Sequence, residues 1–482
     1  MVHAKQAGKQ NNSLIFRKYY LSMDFFRWKM PKGISIIIAL FIVSNLIFLN
    51  FYSDVWWDSA VYIGMGRYIY SFGNSGLWES SRPIVWPLML GFLWKIGLNV
   101  VLVGRILEIV FGSLCILLTY VIGRKLFNEK IAILSSIFLA LSPTFFFFNG
   151  IMLTEVVSTF FSLVAIYFFI DKKYFISGLF LGISFMTRYL QLFVFVSMIL
   201  VNLSHFNKKN IKKIVIGFAI AILPFLILNQ ILYNNVSYPF IQQIALSKNS
   251  GWLNYHPLSY YLIELFKENF LYLLSIFGIL LIFKRKNTNK IAISMTFILF
   301  FIFFNSIKQK EMRLLIILMP YMYLLASYSI FHFFHHFKSK IAKIVLIAAV
   351  LLSLTASLMT TFIYYNNDSN KINQYAVFQD RLEKISSSAK IWISNPIMAA
   401  FSDNKIDNII YYPFFDEEKK KELLKEIQKA DFIFLDSCDL ACKPSDVLCE
   451  NSKDELIKSF KQQLKIIYSF KTNQCNQVIF QK

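Results

Sequence analysis

Asp58 stands in WWDSAVY, just past an apolar run that ends near Tyr52. The same aromatic-rich stretch adds Asp54, Glu79 and Arg82 before the next long apolar run begins near Asn99. Carboxylates beside a bilayer are costly unless a partner, a metal or a substrate uses them, so this loop is the first place to look for chemistry. Asp58 can serve as a general base that draws the proton from an attacking hydroxyl, or it can cap a helix start. Asp54 can cap, pair or bind a metal. Glu155, after TFFFFNGIMLT, either joins this chemistry or opens a helix, with Thr154 as cap and its own charge set against the helix dipole. Arg188 interrupts the apolar FMTRYLQLF. A buried arginine must find an anion, either a structural carboxylate or a substrate phosphate. Lys310, Glu311 and Arg313 sit together in KQKEMR between two apolar runs. Cations there can hold a lipid-linked phosphate, arginine with a planar fork that lysine lacks, or they can be snorkelling flanks of two spans. His256, in SGWLNYHPLSYY, is a candidate metal ligand beside a carboxylate, or a surface residue.

The elements that must carry these groups are set by composition. Of 482 residues, 56% are apolar and 51 are phenylalanine, and the mean hydropathy is +0.51. This is the make-up of an integral membrane protein. A net charge of +22 would suit a nucleic-acid binder, but its distribution excludes one. Residues 366–482 hold 17 Lys and Arg against 17 Asp and Glu, and the remaining 33 basic and 11 acidic residues lie among the apolar runs. Runs long enough to span a hydrocarbon core of about 30 Å occur near 33–52, 99–122, 130–148, 156–170, 174–187, 189–203, 213–234, 268–284, 290–306, 313–334 and 341–364. They predict about eleven spans, of which 174–187 and 189–203 are short enough to be half-depth helices meeting around Arg188. RPIVWPLMLGFLWKIG, with Pro83 and Pro87, reads as an interfacial or re-entrant helix inside a first external loop, 53–98.

The basic leader, 1–32, has no small-residue cleavage site, so the first span stays as an anchor. With a cytoplasmic N-terminus, the inside segments carry 23 Lys and Arg and the outside segments nine, as the positive-inside bias requires. Asp54, Asp58, Glu79, Glu155 and Glu311 then fall on the external side with Arg82, Arg188 and Arg313. Glu108 and Arg105, three residues apart, read as an internal ion pair on one helix face. Residues 366–482 alternate strand-like runs (AKIWIS, NIIYYPF, DFIFLD, KIIYSF, QVIFQK) with the charged helix DEEKKKELLKEIQKA, which predicts a small extracytoplasmic α/β domain. Its Cys438, Cys442, Cys449 and Cys475 suggest two disulfides on an oxidising side, with three pairings open. Reduced thiols or a zinc site are the alternatives, although spacings of 4, 7 and 26 fit no common zinc pattern. Asp436 and Asp439 read as solvated loop residues.

Taken in order, WWDSAVYIGMGRYI, ESSRPIVWPLMLG, LSPTFFFFNGIMLTE, GLFLGISFMTRY and KQKEMRLLIILMP resemble the GT-C polyprenyl-phosphate-sugar-dependent glycosyltransferases. The resemblance runs over residues 33–365 and is to the dolichyl-phosphate-mannose protein mannosyltransferase and aminoarabinose transferase group in particular. It implies a GT-C-like transmembrane domain in which Asp58 matches the first-loop catalytic acid and Glu155 the acid of the second external loop. Glu79 with Arg82 would match the second polar cluster of the first loop, and Arg188 and Arg313 the holders of the donor phosphate. Ser59 follows Asp58 where the family often has a second acid, which leaves Asp54 or Glu79 for that part. No lumenal repeat domain is visible, so a protein acceptor is not implied. The expected activity is inverting transfer of mannose or another hexose or pentose from a polyprenyl- or dolichyl-phosphate donor to an extracytoplasmic glycan, lipid or protein. It would take place at the plasma membrane, without a nucleotide pocket and with a divalent metal as an open possibility. The rival reading is a non-catalytic transporter or lipid-linked-glycan flippase. Such proteins tend to carry inverted repeats and charges near mid-membrane, whereas here the charges gather at one interface.

Overall fold

The structure is a computed structural model that describes residues 31–482 except 53–54, 205, 250, 286, 370–374, 387, 411–416 and 472–474. Asp54 and the first thirty residues of the leader lie outside the described residues. All eleven apolar segments are helical, and six helices among the described residues are long and apolar enough to cross a membrane by length and composition. Thr154–Ile170, Tyr174–Thr187 and Tyr189–Ser204 are shorter apolar helices. The result is a multi-pass α-helical membrane fold with a small sheet at its C-terminal end.

Two segments that read as continuous spans are broken where the site needs them. Glu129–Ala140 stops short of Pro143, which has no N–H to give and crowds the preceding turn. The chain restarts as Pro143–Phe148, with the Ser142 hydroxyl accepting the Phe145 N–H at 3.3 Å. The segment after Lys310 begins as a 3-10 turn, Met312–Ile317, and becomes α-helical only at Met319, with Pro320 in the first turn. The short Pro143–Phe148 helix packs against that 3-10 turn. Both breaks therefore bring irregular backbone to the same end of the bundle.

The stretch between the first two long apolar helices contains two helices, Trp57–Tyr70 and Val85–Lys95. They approach so closely that a Cβ added to Gly91 would lie 2.4 Å from the Gly66 carbonyl oxygen. Glycine is required at that contact.

In the tail, strands β1 (Ile391–Ile393), β2 (Ile406–Ile409), β3 (Phe432–Asp436), β4 (Lys465–Lys471) and β5 (Asn476–Gln481) form one sheet in the order β2-β1-β3-β5-β4. β1 is parallel to both β2 and β3, while β5 is antiparallel to β3 and β4. Side chains alternate across a strand, and the two faces have different partners. Ile433, Leu435 and Phe480 pack on Leu456 and Phe460 of the helix Val447–Gln463. Phe434, Ile391 and Ile479 face the other way and share a core with Val61, Met65 and Leu77 of the first loop. The tail is thereby docked on the Trp57–Tyr70 helix. Arg67 of that helix donates to the carbonyls of Ala399, Ala400 and Ser402. Gly76, at φ +76°, donates to the Asn404 carbonyl and accepts from the Ile406 N–H.

The disulfides are Cys438–Cys475 and Cys442–Cys449, one of the three open pairings. Asp436 is not a solvated loop residue. It is 1% exposed and accepts from the Gln477 amide and the Cys438 N–H, each at 2.9 Å, because it ends a central strand rather than an open loop. Asp439 is likewise enclosed, accepting from Ser394 at 2.6 Å, Tyr375 at 2.9 Å and Asn395 at 3.1 Å.

Candidate active site

The carboxylate of Asp58 is gripped from two sides. Its Oδ1 lies 2.8 Å from Nη2 of Arg82 and its Oδ2 lies 2.6 Å from Nη1 of Arg313, a residue 255 positions away. Asp58 is the second residue of the Trp57–Tyr70 helix, whose N-cap is Trp56, so the capping alternative does not hold. Its partner Arg313 sits on the 3-10 turn created by the break described above, and a regular helix from Lys310 onward would carry that side chain elsewhere.

The second acid is placed by a different device. Glu155 lies in the first turn of Thr154–Ile170 and is 1% exposed, with Arg188 Nη1 at 3.2 Å and Arg313 Nε at 3.9 Å. Thr154 is not the cap; its hydroxyl accepts from Arg188 Nη1 at 2.8 Å. Arg188 can reach both because the helix Tyr174–Thr187 ends there in extended backbone, φ −155° and ψ 118°. The turn before Glu155 is fastened at several points. Ser59 donates to the Ile151 carbonyl at 2.5 Å and Trp86 Nε1 to the Met152 carbonyl at 3.0 Å, while Glu108 accepts the N–H groups of both Met152 and Leu153. Met152 is held at φ +66°, a left-handed conformation that a methionine rarely adopts. The expected Arg105–Glu108 pairing is thus replaced at Glu108 by two backbone donors.

The remaining acids anchor the arginines. Glu79, 6% exposed, accepts from Nε of Arg82 at 2.8 Å and from Ser81 at 2.9 Å. Glu311 lies 2.5 Å from Nε of Arg313 and accepts from Gln309 at 3.1 Å. Arg82 also lies over the Tyr62 ring, 5.8 Å from its centroid. Ser59, at the position where a second acid is often found, is occupied with Ile151. Burial raises the cost of charge on Asp58, but the Arg82 and Arg313 guanidiniums outweigh it and hold its carboxyl well below the usual carboxylate range. Asp58 is therefore an anion in this state, and a weakly basic one.

Lys310 and His256 do not join the cluster. The Lys310 ammonium donates to the carbonyls of His256 and Ile307, tying the loop at Asn254 and His256 to the KQKEMR segment. The His256 ring stacks on Tyr260 with centroids 4.0 Å apart. Among the described residues, the one group of three or more His, Cys, Asp or Glu side chains at metal-ligand spacing is Asp436 with Cys438 and Cys475, whose sulfurs form a disulfide. At the site itself the acids face guanidiniums rather than one another. A separate cavity of about 430 Å³ is lined by Arg67, Asn99, Leu102, Arg105, Ala400 and Phe401.

An acid clamped by arginines lies at the end of a multi-pass helical bundle whose α/β tail docks on the first loop, and comparisons with known proteins show what this architecture is similar to. The family profile described as dolichyl-phosphate-mannose-protein mannosyltransferase matches residues 81–229. ArnT from Cupriavidus metallidurans, solved bound to undecaprenyl phosphate, superimposes with a TM-score of 0.63 at 10% identity, over 92% of this chain and 97% of that one. The archaeal oligosaccharyltransferase AglB from Archaeoglobus fulgidus, solved with an inhibitory peptide and a dolichol-phosphate, gives a TM-score of 0.60 at 12% identity, over 92% of this chain and 74% of that one. No curated protein matches at the level of sequence. The chain shares the fold of these structures, and the profile match is confined to residues 81–229.

Proposed function

We propose that the protein transfers a sugar from a polyprenyl- or dolichyl-phosphate donor to an acceptor on the outer face of the plasma membrane, with inversion at the anomeric carbon. The observation that carries this reading is the convergence on Asp58 of Arg82 and Arg313, from segments far apart in the chain. Asp58 takes the proton of the acceptor hydroxyl. Arg82, Arg313 and Arg188 stabilise the charge that develops on the departing phosphate, which needs no general acid. Glu155 holds Arg188 and reaches toward Arg313, so it sets the geometry of the phosphate side. The apolar surface of the helices would accommodate the polyprenyl chain, and a donor carried in the membrane requires no nucleotide pocket. In this reading the N-terminus is cytoplasmic, residues 33–365 form the catalytic domain and residues 366–482 an extracytoplasmic domain. The disulfides fit that side, since such bonds persist in oxidising compartments. The acceptor is a glycan, a lipid or a protein, and the sugar a mannose or another hexose or pentose.

The test is transfer of radiolabelled sugar in membranes supplied with lipid-phosphate-linked sugar. Asp58→Ala should lower the rate by about two to four orders of magnitude, the usual worth of a general base, while the purified variant still runs as a folded monodisperse protein. A folded Asp58→Ala variant with unchanged transfer would overturn the role given to Asp58, whereas membranes carrying the unaltered protein that transfer no more sugar than membranes without it would favour a transporter or flippase.

A further inference from the structure

Arg82 and Arg313 are built into the site in the same way. In each, Nε is engaged by a carboxylate close in sequence, Glu79 at 2.8 Å from Arg82 and Glu311 at 2.5 Å from Arg313. The terminal nitrogens are then turned to opposite oxygens of Asp58. Four carboxylates, Asp58, Glu79, Glu155 and Glu311, meet three guanidiniums, Arg82, Arg188 and Arg313, so the cluster has no surplus of positive charge. A sugar phosphodiester brings one further negative charge and the phosphate monoester it leaves behind brings two. Burying such an anion without a cation is prohibitive. It can enter only by taking guanidinium nitrogens away from a carboxylate. The nitrogens at Glu79 and Glu311 are held from within the same short segment, whereas those at Asp58 cross between elements.

We propose that Asp58 and the donor phosphate are alternative occupants of one two-arginine clamp, with Glu79 and Glu311 as positioning residues that keep the arginines in place during the exchange. This rests on the sugar-transfer reading and adds its charge logic. In the step, the acceptor O–H bond breaks and its proton goes to the Asp58 carboxylate as the acceptor oxygen bonds to the anomeric carbon. The bond from that carbon to the phosphate oxygen breaks, and its electron pair stays on the phosphate. Asp58 goes from one negative charge to none while the phosphate goes from one to two. The charge of the site is conserved, and the guanidinium nitrogens that Asp58 releases are those the phosphate gains.

Binding of farnesyl phosphate to the purified full chain at pH 8 tests the exchange. Asp58→Asn should bind it about tenfold tighter or more than the unaltered protein, and Glu311→Gln about tenfold weaker, as expected for removing a competitor and an anchor of a close charge pair. A residue with a merely structural role at position 58 would weaken binding when replaced, and equal or weaker binding by folded Asp58→Asn overturns the proposal. A second measurement needs no variant. Farnesyl sulfate keeps a single charge between pH 5 and pH 8, so its affinity for the unaltered protein should rise about tenfold as pH falls across that range and the displaced Asp58 takes a proton. The charged and titratable groups around Asp58 there are Arg82, Arg188, Arg313, Tyr62 and, through the arginines, Glu79, Glu155 and Glu311. A flat profile overturns the exchange. The parent reading is judged separately: Asp58→Asn that loses transfer yet binds farnesyl phosphate no tighter defeats the clamp alone, and Asp58→Asn that retains transfer defeats both.

Discussion

At the scale of single residues, the cluster is arranged by the shape of guanidinium as much as by its charge. Arg313 makes one contact with Nε to Glu311 and another with Nη1 to Asp58, two nitrogens of one rigid plane used on two different acids. Lysine offers a single flexible ammonium and cannot make both contacts in fixed geometry. Arg313→Lys should therefore lower kcat/KM for sugar transfer by about tenfold to a hundredfold, a loss read from steady-state rates at varied donor concentration; a rate within twofold of the unaltered protein would show that charge alone suffices. Asp58, Arg82, Glu155, Arg188, Glu311 and Arg313 were legible in the sequence because charged residues are conspicuous in apolar surroundings. Their pairing was not. Which acid meets which arginine depends on side-chain reach across elements, and Lys310 shows the limit, since a cation next to Glu311 in the chain spends its charge on carbonyl oxygens instead.

At the scale of elements, the breaks matter more than the helices. Arg188 follows a helix that stops at Thr187, and Arg313 lies on a 3-10 turn ahead of Met319. Pro143 and Pro320 announce two of the interruptions in the sequence, and the stop at Arg188 was read from the charged residue that parts the short apolar runs 174–187 and 189–203. The turn Ile151–Leu153 was not legible at all. Its anchors are the hydroxyl of Ser59, the indole of Trp86 and the carboxylate of Glu108, three residues whose types carry no common signature. Glu108→Ala removes the acceptor of two buried N–H groups, each worth about 1–3 kcal/mol when left unsatisfied. The variant should unfold at lower denaturant concentration and also lose transfer activity, because Met152 is freed to leave its left-handed conformation and Glu155 moves with it. Lost stability with full activity per folded molecule would show that the turn does not set the position of Glu155.

At the scale of the whole molecule, the apolar segments, the second helix of the first loop and the α/β character of the tail could all be read from hydrophobic pattern. The docking of the tail on the first loop could not. The hydrogen-bond acceptors of Arg67 are backbone carbonyls more than 330 residues away, which any sequence would supply. Within the tail, burial, set against hydrogen bonds from Ser394 and reinforced by the neighbouring Asp436 carboxylate, pushes Asp439 up to about 7. The folded domain thus holds a proton that the unfolded chain releases above the ordinary aspartate value of 3.8. The stability it contributes is present at low pH and declines as pH rises toward 7, with no further change beyond. Amide protection of β1 and β3 in the full chain should accordingly be greater at pH 5 than at pH 7.5, and Asp439→Asn should flatten that dependence. Protection that rises with pH would contradict the assignment.

The central claim is that one phosphate is gripped by the arginines around Asp58. It is tested most directly by the experimental structure of the full chain in lipid nanodiscs with a farnesyl-phosphate-linked sugar. The account predicts the phosphate within hydrogen-bonding distance of Arg82 and Arg313, with the anomeric carbon facing Asp58. A phosphate seated instead in the cavity between Arg67 and Arg105, with the Asp58 ion pairs intact, would contradict it.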